Sequence, residues 1–282
     1  MLLSISLILI LGMFMGWICR KIKLPALLGM LITGIILGPY GLNLLDGSIL
    51  GISAELRKIA LIIILTRAGL GLDLSGLKKI GRPAVLMCFV PASFELLGMI
   101  LLAPKLMGLT VLEAAVMGAV LAAVSPAVVV PRMVKLMDEG YGVKEGIPQL
   151  ILAGASVDDV YVIVLFSTFV GMMQGEGASI LKFVNIPVSI FFGIAIGLLL
   201  GVLLAYLFKK VHIRDTSKVL IILSISFLLV VIEDKLTTAI TFSSLIAVMF
   251  IGIGLQKERE AVAKRLSVKY GKLWVAAEVF LF

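Results

Sequence analysis

Two adjacent aspartates, Asp158 and Asp159, lie in the middle of a largely apolar segment, Ile147 to Met173, that is long enough to cross a bilayer. On insertion scales, one charged carboxylate at the centre of a membrane helix costs about 2.5 to 3.5 kcal/mol. A purely structural helix would avoid this cost, and acidic residues at membrane depth usually serve ion or proton pathways. The pair therefore predicts a site for a cation or a proton.

The geometry of a helix separates the roles of the two carboxylates. Successive helical residues point about 100° apart, so one carboxylate can line a water-accessible site while the other reaches a neighbouring helix. Burial and mutual repulsion make it favourable for the pair to bind a proton or a cation. Hard oxygen ligands suit Na⁺ or Li⁺ and can take protons instead, and that competition is a mechanism of exchange.

A second candidate is the segment from Ser125 to Pro131, which contains Pro126. Each proline removes a backbone donor and clashes with the preceding turn, which predicts a bent or unwound helix. In a membrane, broken helices supply carbonyl oxygens to ion sites in secondary transporters, and Ser125 would add a hydroxyl ligand. A proline kink that serves only packing is the alternative.

Glu95 and Arg67 are two further charges within predicted spans. Each is expected to need a charged partner, and a structural ion pair is the simpler interpretation of both. Arg67 can also direct its guanidinium toward the nearer membrane surface.

An intramembrane aspartyl protease is not expected, because such enzymes place their two aspartates on two facing helices. No serine, histidine or metalloprotease pattern is present, so we do not predict an enzyme.

Composition places all of these residues in an all-α polytopic membrane protein. The 282 residues are 61% hydrophobic, and the mean hydropathy is +1.19, more than one soluble core requires. A tenth span is expected to begin near Leu273. Nine spans are predicted before it, at residues 1–19, 24–42, 54–72, 83–104, 110–131, 147–174, 181–208, 218–234 and 238–255.

Basic residues alternate from loop to loop, with nineteen on one predicted side of the membrane and five on the other. By the positive-inside rule the richer side is cytoplasmic, which puts the N-terminus outside. The net charge of +8 is not gathered in one patch, so nucleic acid is not an expected partner. The lipid bilayer is the expected partner.

Other features have simpler interpretations. One histidine and two cysteines do not predict a transition-metal site, and no cofactor is expected. His212 either senses pH or is a solvated loop residue.

Segment 256–272 is either an amphipathic connector along the cytoplasmic interface or a solvated linker. Three glycines on one face of the seventh span predict close packing against another helix or subunit: Gly193, Gly197 and Gly201.

Four motifs in order resemble one family. They are Arg67-Ala-Gly-Leu-Gly-Leu-Asp73, Ser125-Pro-Ala-Val-Val-Val-Pro131, Gly140-Tyr-Gly-Val-Lys144 and Gly154-Ala-Ser-Val-Asp158-Asp159. Together they are similar to the Na⁺/H⁺ antiporters of the NHA type, in the second monovalent cation:proton antiporter family. The match covers roughly Leu65 to Tyr161.

The resemblance implies an inverted-repeat antiporter fold with a broken helix, and a homodimer with an elevator-type core. About nine to ten membrane helices would be present of an expected twelve to fourteen, so residues 1–282 would form an incomplete exchanger domain. Within it, residues 1–80 would be scaffold and dimer helices, 83–174 the first half of the transport core, and 181–282 linker and scaffold. The missing C-terminal half would follow or come from another chain.

The resemblance also assigns residue roles. Asp159 would be the main carrier of Na⁺ or Li⁺ and of protons, and Asp158 would share the ion or pair with a later basic residue. Glu95 would pair with a later arginine. The site would be lined by Ser125 and by an unwound segment made of Pro126, Ala127, Val128 and Pro131.

The expected function is antiport of a monovalent cation and protons across the plasma (inner) membrane. One alternative is a Na⁺-coupled symporter of an organic anion, which would need a pocket rich in polar side chains. The other alternative is a membrane subunit that does not itself transport.

Overall fold

The computed structural model describes residues 1–71, 81–124, 129, 133, 136, 139–173, 180–235 and 242–281. Every regular element in these ranges is an α-helix, which confirms the predicted all-α class. The helices are α1 (Leu2–Lys21), α2 (Ala26–Leu37), α3 (Gly47–Gly51), α4 (Ser53–Gly71), α5 (Arg82–Met87), α6 (Val90–Met107), α7 (Val111–Ala122), α8 (Ile147–Met173), α9 (Ile180–Lys210), α10 (Asp215–Lys235), α11 (Ser244–Glu258) and α12 (Glu260–Leu281).

Several of these helices have the length and apolarity of membrane spans. Within the described residues, four meet both criteria: Leu2–Lys21, Val90–Met107, Val188–Lys210 and Asp215–Lys235. Ala26–Leu37, Val111–Ala122 and Tyr161–Met173 are apolar but shorter. Large apolar side chains such as Trp17, Phe94 and Leu199 are exposed on them. Lipid is the solvent that such surfaces require.

The chain forms two compact units, each built from segments distant in sequence. The first comprises residues 1–71, 199–231 and 248–282, and the second comprises 72–198 and 232–247. The functional roles assigned from the family to residues 1–80, 83–174 and 181–282 stay predictions. The second unit contains α8 and therefore the aspartate pair.

The last helix differs from its prediction. α12 runs without a break from Glu260 to Leu281, although the sequence placed a span only from Leu273 and a connector or linker before it. Val262, Leu266 and Tyr270 are buried, and α12 packs along α4. The solvated-linker interpretation of segment 256–272 is therefore wrong, because most of it is an amphipathic helix packed on protein. Its position along the cytoplasmic interface stays a prediction. The charged residues lie on one face of a helix that buries its other face in protein.

Glycines let the helices approach backbone to backbone. A Cβ at Gly193 would lie 2.7 Å from the carbonyl oxygen of Ser243, and one at Gly201 would lie 2.6 Å from that of Ile251. The predicted packing of this glycine face is thereby confirmed, with α11 as the partner. A glycine also allows close contact between α4 and α11, where a Cβ at Gly252 would lie 2.7 Å from the backbone nitrogen of Leu70.

We expect Gly252→Ala to lower the melting temperature of the purified protein in detergent. The added methyl group meets backbone atoms that cannot move aside, and overpacking of this kind costs about 1–3 kcal/mol. Gly98→Ala in α6 is the matched control, because nothing lies within 4 Å of the added atom. Alanine has the higher helix propensity, so the control should melt no lower than the wild type. Equal melting of both variants would contradict the contact.

Candidate ion-binding site

Asp158 lies on the buried face of α8. Its side chain is 5% exposed, and Val162, Leu165 and Phe169 are buried on the same helix. Spacings of four, three and four residues put these positions on one face of an α-helix. Asp158 therefore faces the interior of the second unit.

An apolar cluster borders Asp158 along this face. Three helices contribute to it, and its buried members are Ala92, Ala115, Ala119, Ala122, Val162, Leu165 and Phe169. Alanines on α7 let the three helices pack closely, and Gly118 lies against Met99 and Leu96 of α6. The cluster begins one helical turn after Asp158, so the carboxylate sits at its end.

A helix interruption lies on the other side of the aspartate. The predicted span 83–104 is in fact two helices, because α5 ends at Met87 and α6 begins at Val90. Pro91 occupies the second position of α6, where its missing N–H costs nothing, whereas a continuous helix would bring its ring against the preceding turn. An interruption within this span was not predicted, although Pro91 carried the signal.

This interruption comes close to Asp158. The Cys88 thiol is near enough to Asp158 for the two groups to interact electrostatically. One turn before Asp158, a Cβ at Gly154 would lie 2.8 Å from Cγ of Met87. The absence of a side chain at Gly154 thus lets α8 lie directly against the end of α5. Cys88 is buried and forms no disulfide.

Hydrogen bonds tie the interruption to α8. The Ser93 hydroxyl donates to the Phe89 carbonyl oxygen at 2.7 Å, and the Ser93 and Tyr161 oxygens are 2.9 Å apart. Because the single Ser93 hydroxyl hydrogen goes to Phe89, Tyr161 is the donor to Ser93. The Phe89 and Tyr161 rings meet edge to face, with centroids 5.2 Å apart. Sequence reasoning missed all three residues.

The interruption that the sequence does predict, after α7, is partly visible. α7 begins with a capping box, in which Thr110 and Glu113 bond each other's backbone N–H, and it ends at Ala122. Ala123 is extended, so the helix stops before Ser125, in agreement with the predicted break. Ser125, Pro126, Ala127, Val128 and Pro131 lie outside the described residues, as does the side chain of Asp159.

The other predicted charges lie in separate units. Glu95 is exposed on α6 and makes no ion pair with any residue that the structure describes. Arg67 is half-buried on α4, where it and Arg20 interact electrostatically with Glu278 of α12. Glu278 was not identified from the sequence, although a carboxylate in a predicted tenth span was a signal. It is an acidic residue close enough to Arg67 for an electrostatic interaction, and an ion pair of Arg67 stays a prediction.

These observations define a class: a polytopic α-helical membrane protein with a buried carboxylate beside a helix interruption. The family described as "Sodium/hydrogen exchanger, transmembrane" matches residues 6–282. The chain belongs to the sodium/hydrogen exchanger family. Its members are transporters rather than enzymes, in accord with the sequence prediction.

Individual relatives agree with this assignment. The chain is 34% identical to human sodium/hydrogen exchanger 9B2 over 257 residues, which are 88% of this chain and 47% of that protein. It is 43% identical to the Xenopus tropicalis 9B2 exchanger over 158 residues, 56% of this chain and 29% of the relative. The chain thus spans about half the length of the human relative.

The fold also matches a solved structure. The sodium proton antiporter MjNhaP1 of Methanocaldococcus jannaschii superimposes with a TM-score of 0.84 over 98% of this chain and 67% of that one. Sequence identity is 22%, so this likeness bears on the fold alone. It confirms the predicted polytopic antiporter architecture.

We expect Tyr161→Phe to destabilise the protein by about 0.5–1.5 kcal/mol, because the Ser93 oxygen loses its donor inside the bundle. Thermal unfolding in detergent measures the effect. Tyr206→Phe is the matched control, since Tyr206 is 66% exposed. The effects of Tyr161→Phe and Ser93→Ala should not add in the double variant, because both break one interaction. Simple additivity would contradict the hydrogen-bonded chain.

Proposed function

We propose that the protein exchanges Na⁺ or Li⁺ for protons across the membrane. The observation that carries the proposal is Asp158, which is 5% exposed on the inner face of α8, beside the interruption between α5 and α6. A carboxylate is retained at such depth where it binds a charge that comes and goes. Membership of the sodium/hydrogen exchanger family supports the same activity.

The mechanism follows from competition for the carboxylates. An ionised carboxylate attracts a cation, and a proton that binds in its place removes the negative charge and releases the cation. Asp159, the neighbour of Asp158, is the proposed main carrier, as the family resemblance implies. Asp158 shares the ion or pairs with a basic residue, and Ser125 adds a hydroxyl oxygen.

Backbone carbonyls are the proposed additional ligands. Asp158 lies near the α5–α6 interruption at Cys88. Ala122, the last residue of α7, packs in one cluster with Val162 of α8, so the end of α7 is also close to this part of α8. Interrupted helices expose carbonyl oxygens that suit a hard monovalent cation. Segment Pro126–Pro131 would then line the site from the α7 side.

The remaining parts of the proposal concern energy and assembly. Inward proton flow drives cation export, since moving one charge through 100 mV supplies about 2.3 kcal/mol. The protein would work as a homodimer in the plasma (inner) membrane with its N-terminus outside. The transport core would move as an elevator, and Glu95, exposed on α6, would pair with an arginine of that core.

We expect Asp159→Asn to reduce exchange to the level of vesicles without the protein, because an amide can neither ionise nor release a proton. The measurement is the change of a pH-sensitive dye in everted vesicles after Na⁺ or Li⁺ is added. Asp158→Asn should weaken the apparent cation affinity. Glu145→Gln, at an exposed loop position of the same unit, is the control and should exchange normally. Full activity of Asp159→Asn at equal expression would remove Asp159 from the mechanism.

A further inference from the structure

A basic cleft lies in the first unit, where α9 ends and α10 and α12 begin. It is a cavity of about 380 Å³, and its basic lining residues are Lys209, His212, Arg214, Lys218, Arg259 and Arg265. From the sequence alone these residues are ordinary loop charges, and His212 is a solvated or pH-sensing residue. The fold instead gathers them around one cavity.

Acidic groups balance only part of this charge. Asp215 accepts hydrogen bonds from Lys218 Nζ and Arg265 Nε, each at 2.9 Å. One carboxylate thus serves two cations. Lys209 and Arg214, both exposed at the cleft, form no ion pair with the described residues. The cleft therefore keeps a positive potential that favours an anion.

Part of the lining is held in place before any ligand arrives. Arg259 Nη1 donates to the carbonyl oxygen of Phe208 at 2.9 Å, which leaves the other guanidinium N–H groups for further bonds. The Lys218 side chain is 9% exposed, and its ammonium lies 5.7 Å from the centre of the Phe208 ring. Fixed arginine and lysine donors around a cavity suit the oxygens of a phosphate group.

The surroundings point to a lipid as the source of that phosphate. Leu203 and Tyr206 are exposed on α9 just before the cleft, and Leu220 is exposed on α10 just after it. Such apolar surface contacts acyl chains in a membrane protein, and a tyrosine at a helix end is typical of the headgroup level. The cleft thus lies where apolar helix surface gives way to charge.

We propose that the basic cleft binds the phosphate group of an anionic phospholipid headgroup. The exposed lysine and arginine at its mouth attract the headgroup, and the fixed Arg259 and Lys218 donors bind its oxygens. The lipid's acyl chains lie along the exposed apolar faces of α9 and α10. This binding site is independent of the aspartate pair and of the proposed exchange.

The test follows the thermal stability of the purified protein in detergent during titration with dioctanoyl phosphatidylglycerol. Parallel titrations use dioctanoyl phosphatidylcholine and inorganic phosphate. The test variant is Lys209→Gln with Arg214→Gln, and the matched control is Lys210→Gln with Lys257→Gln. The control removes the same charge from exposed positions that do not line the cavity.

Phosphatidylglycerol should stabilise the wild type and the control at the same concentration, and phosphatidylcholine should stabilise neither. The test variant should need about 20 to 30 times more phosphatidylglycerol, since each cation near an anionic headgroup contributes about fivefold. It should melt like the wild type without lipid. An equal response of both double variants would overturn the site. Equal stabilisation by inorganic phosphate would keep the phosphate site but overturn the lipid as its source.

Discussion

The structure depends on placing a carboxylate where water is scarce. Hydrocarbon offers no partner to a charged group, so the protein must supply polar atoms at the same depth. In this chain Asp158 turns into the helical bundle and lies beside the point where α5 gives way to α6. The end of α7 is packed close to the same part of α8. The α5–α6 interruption and the end of α7 therefore both lie near the segment of α8 that contains Asp158.

Close helix contacts make this arrangement possible. Lipid gives helices little hydrophobic reason to associate, so dense packing through small residues replaces it. Gly154 lets α8 lie on the end of α5, and the alanines of α7 pack the cluster beside Asp158. The same principle holds elsewhere in the chain, where glycines of α9 and α4 meet the backbone of α11.

The sequence predicts much of this architecture but not its details. Hydropathy finds the apolar spans, and the two aspartates are visible because charge is rare in them. Hydropathy misplaces the start of α12, because averaging along the sequence combines the apolar buried face of this amphipathic helix with its charged face. It also treats Pro91 as an interior residue of a span, although the chain uses it to begin a helix. The Ser93–Tyr161 bond depends on the distance between helices, which no local pattern contains.

The bond between Tyr161 and Ser93 has a mechanical consequence. Tyr161 follows Asp158 by less than one turn on α8, and its hydroxyl reaches the Phe89 carbonyl through Ser93. A twist of α8 would therefore pull on the peptide unit that separates α5 from α6. Asp158 and the α5–α6 interruption are thus mechanically coupled, because moving one relative to the other has to stretch or break these two hydrogen bonds.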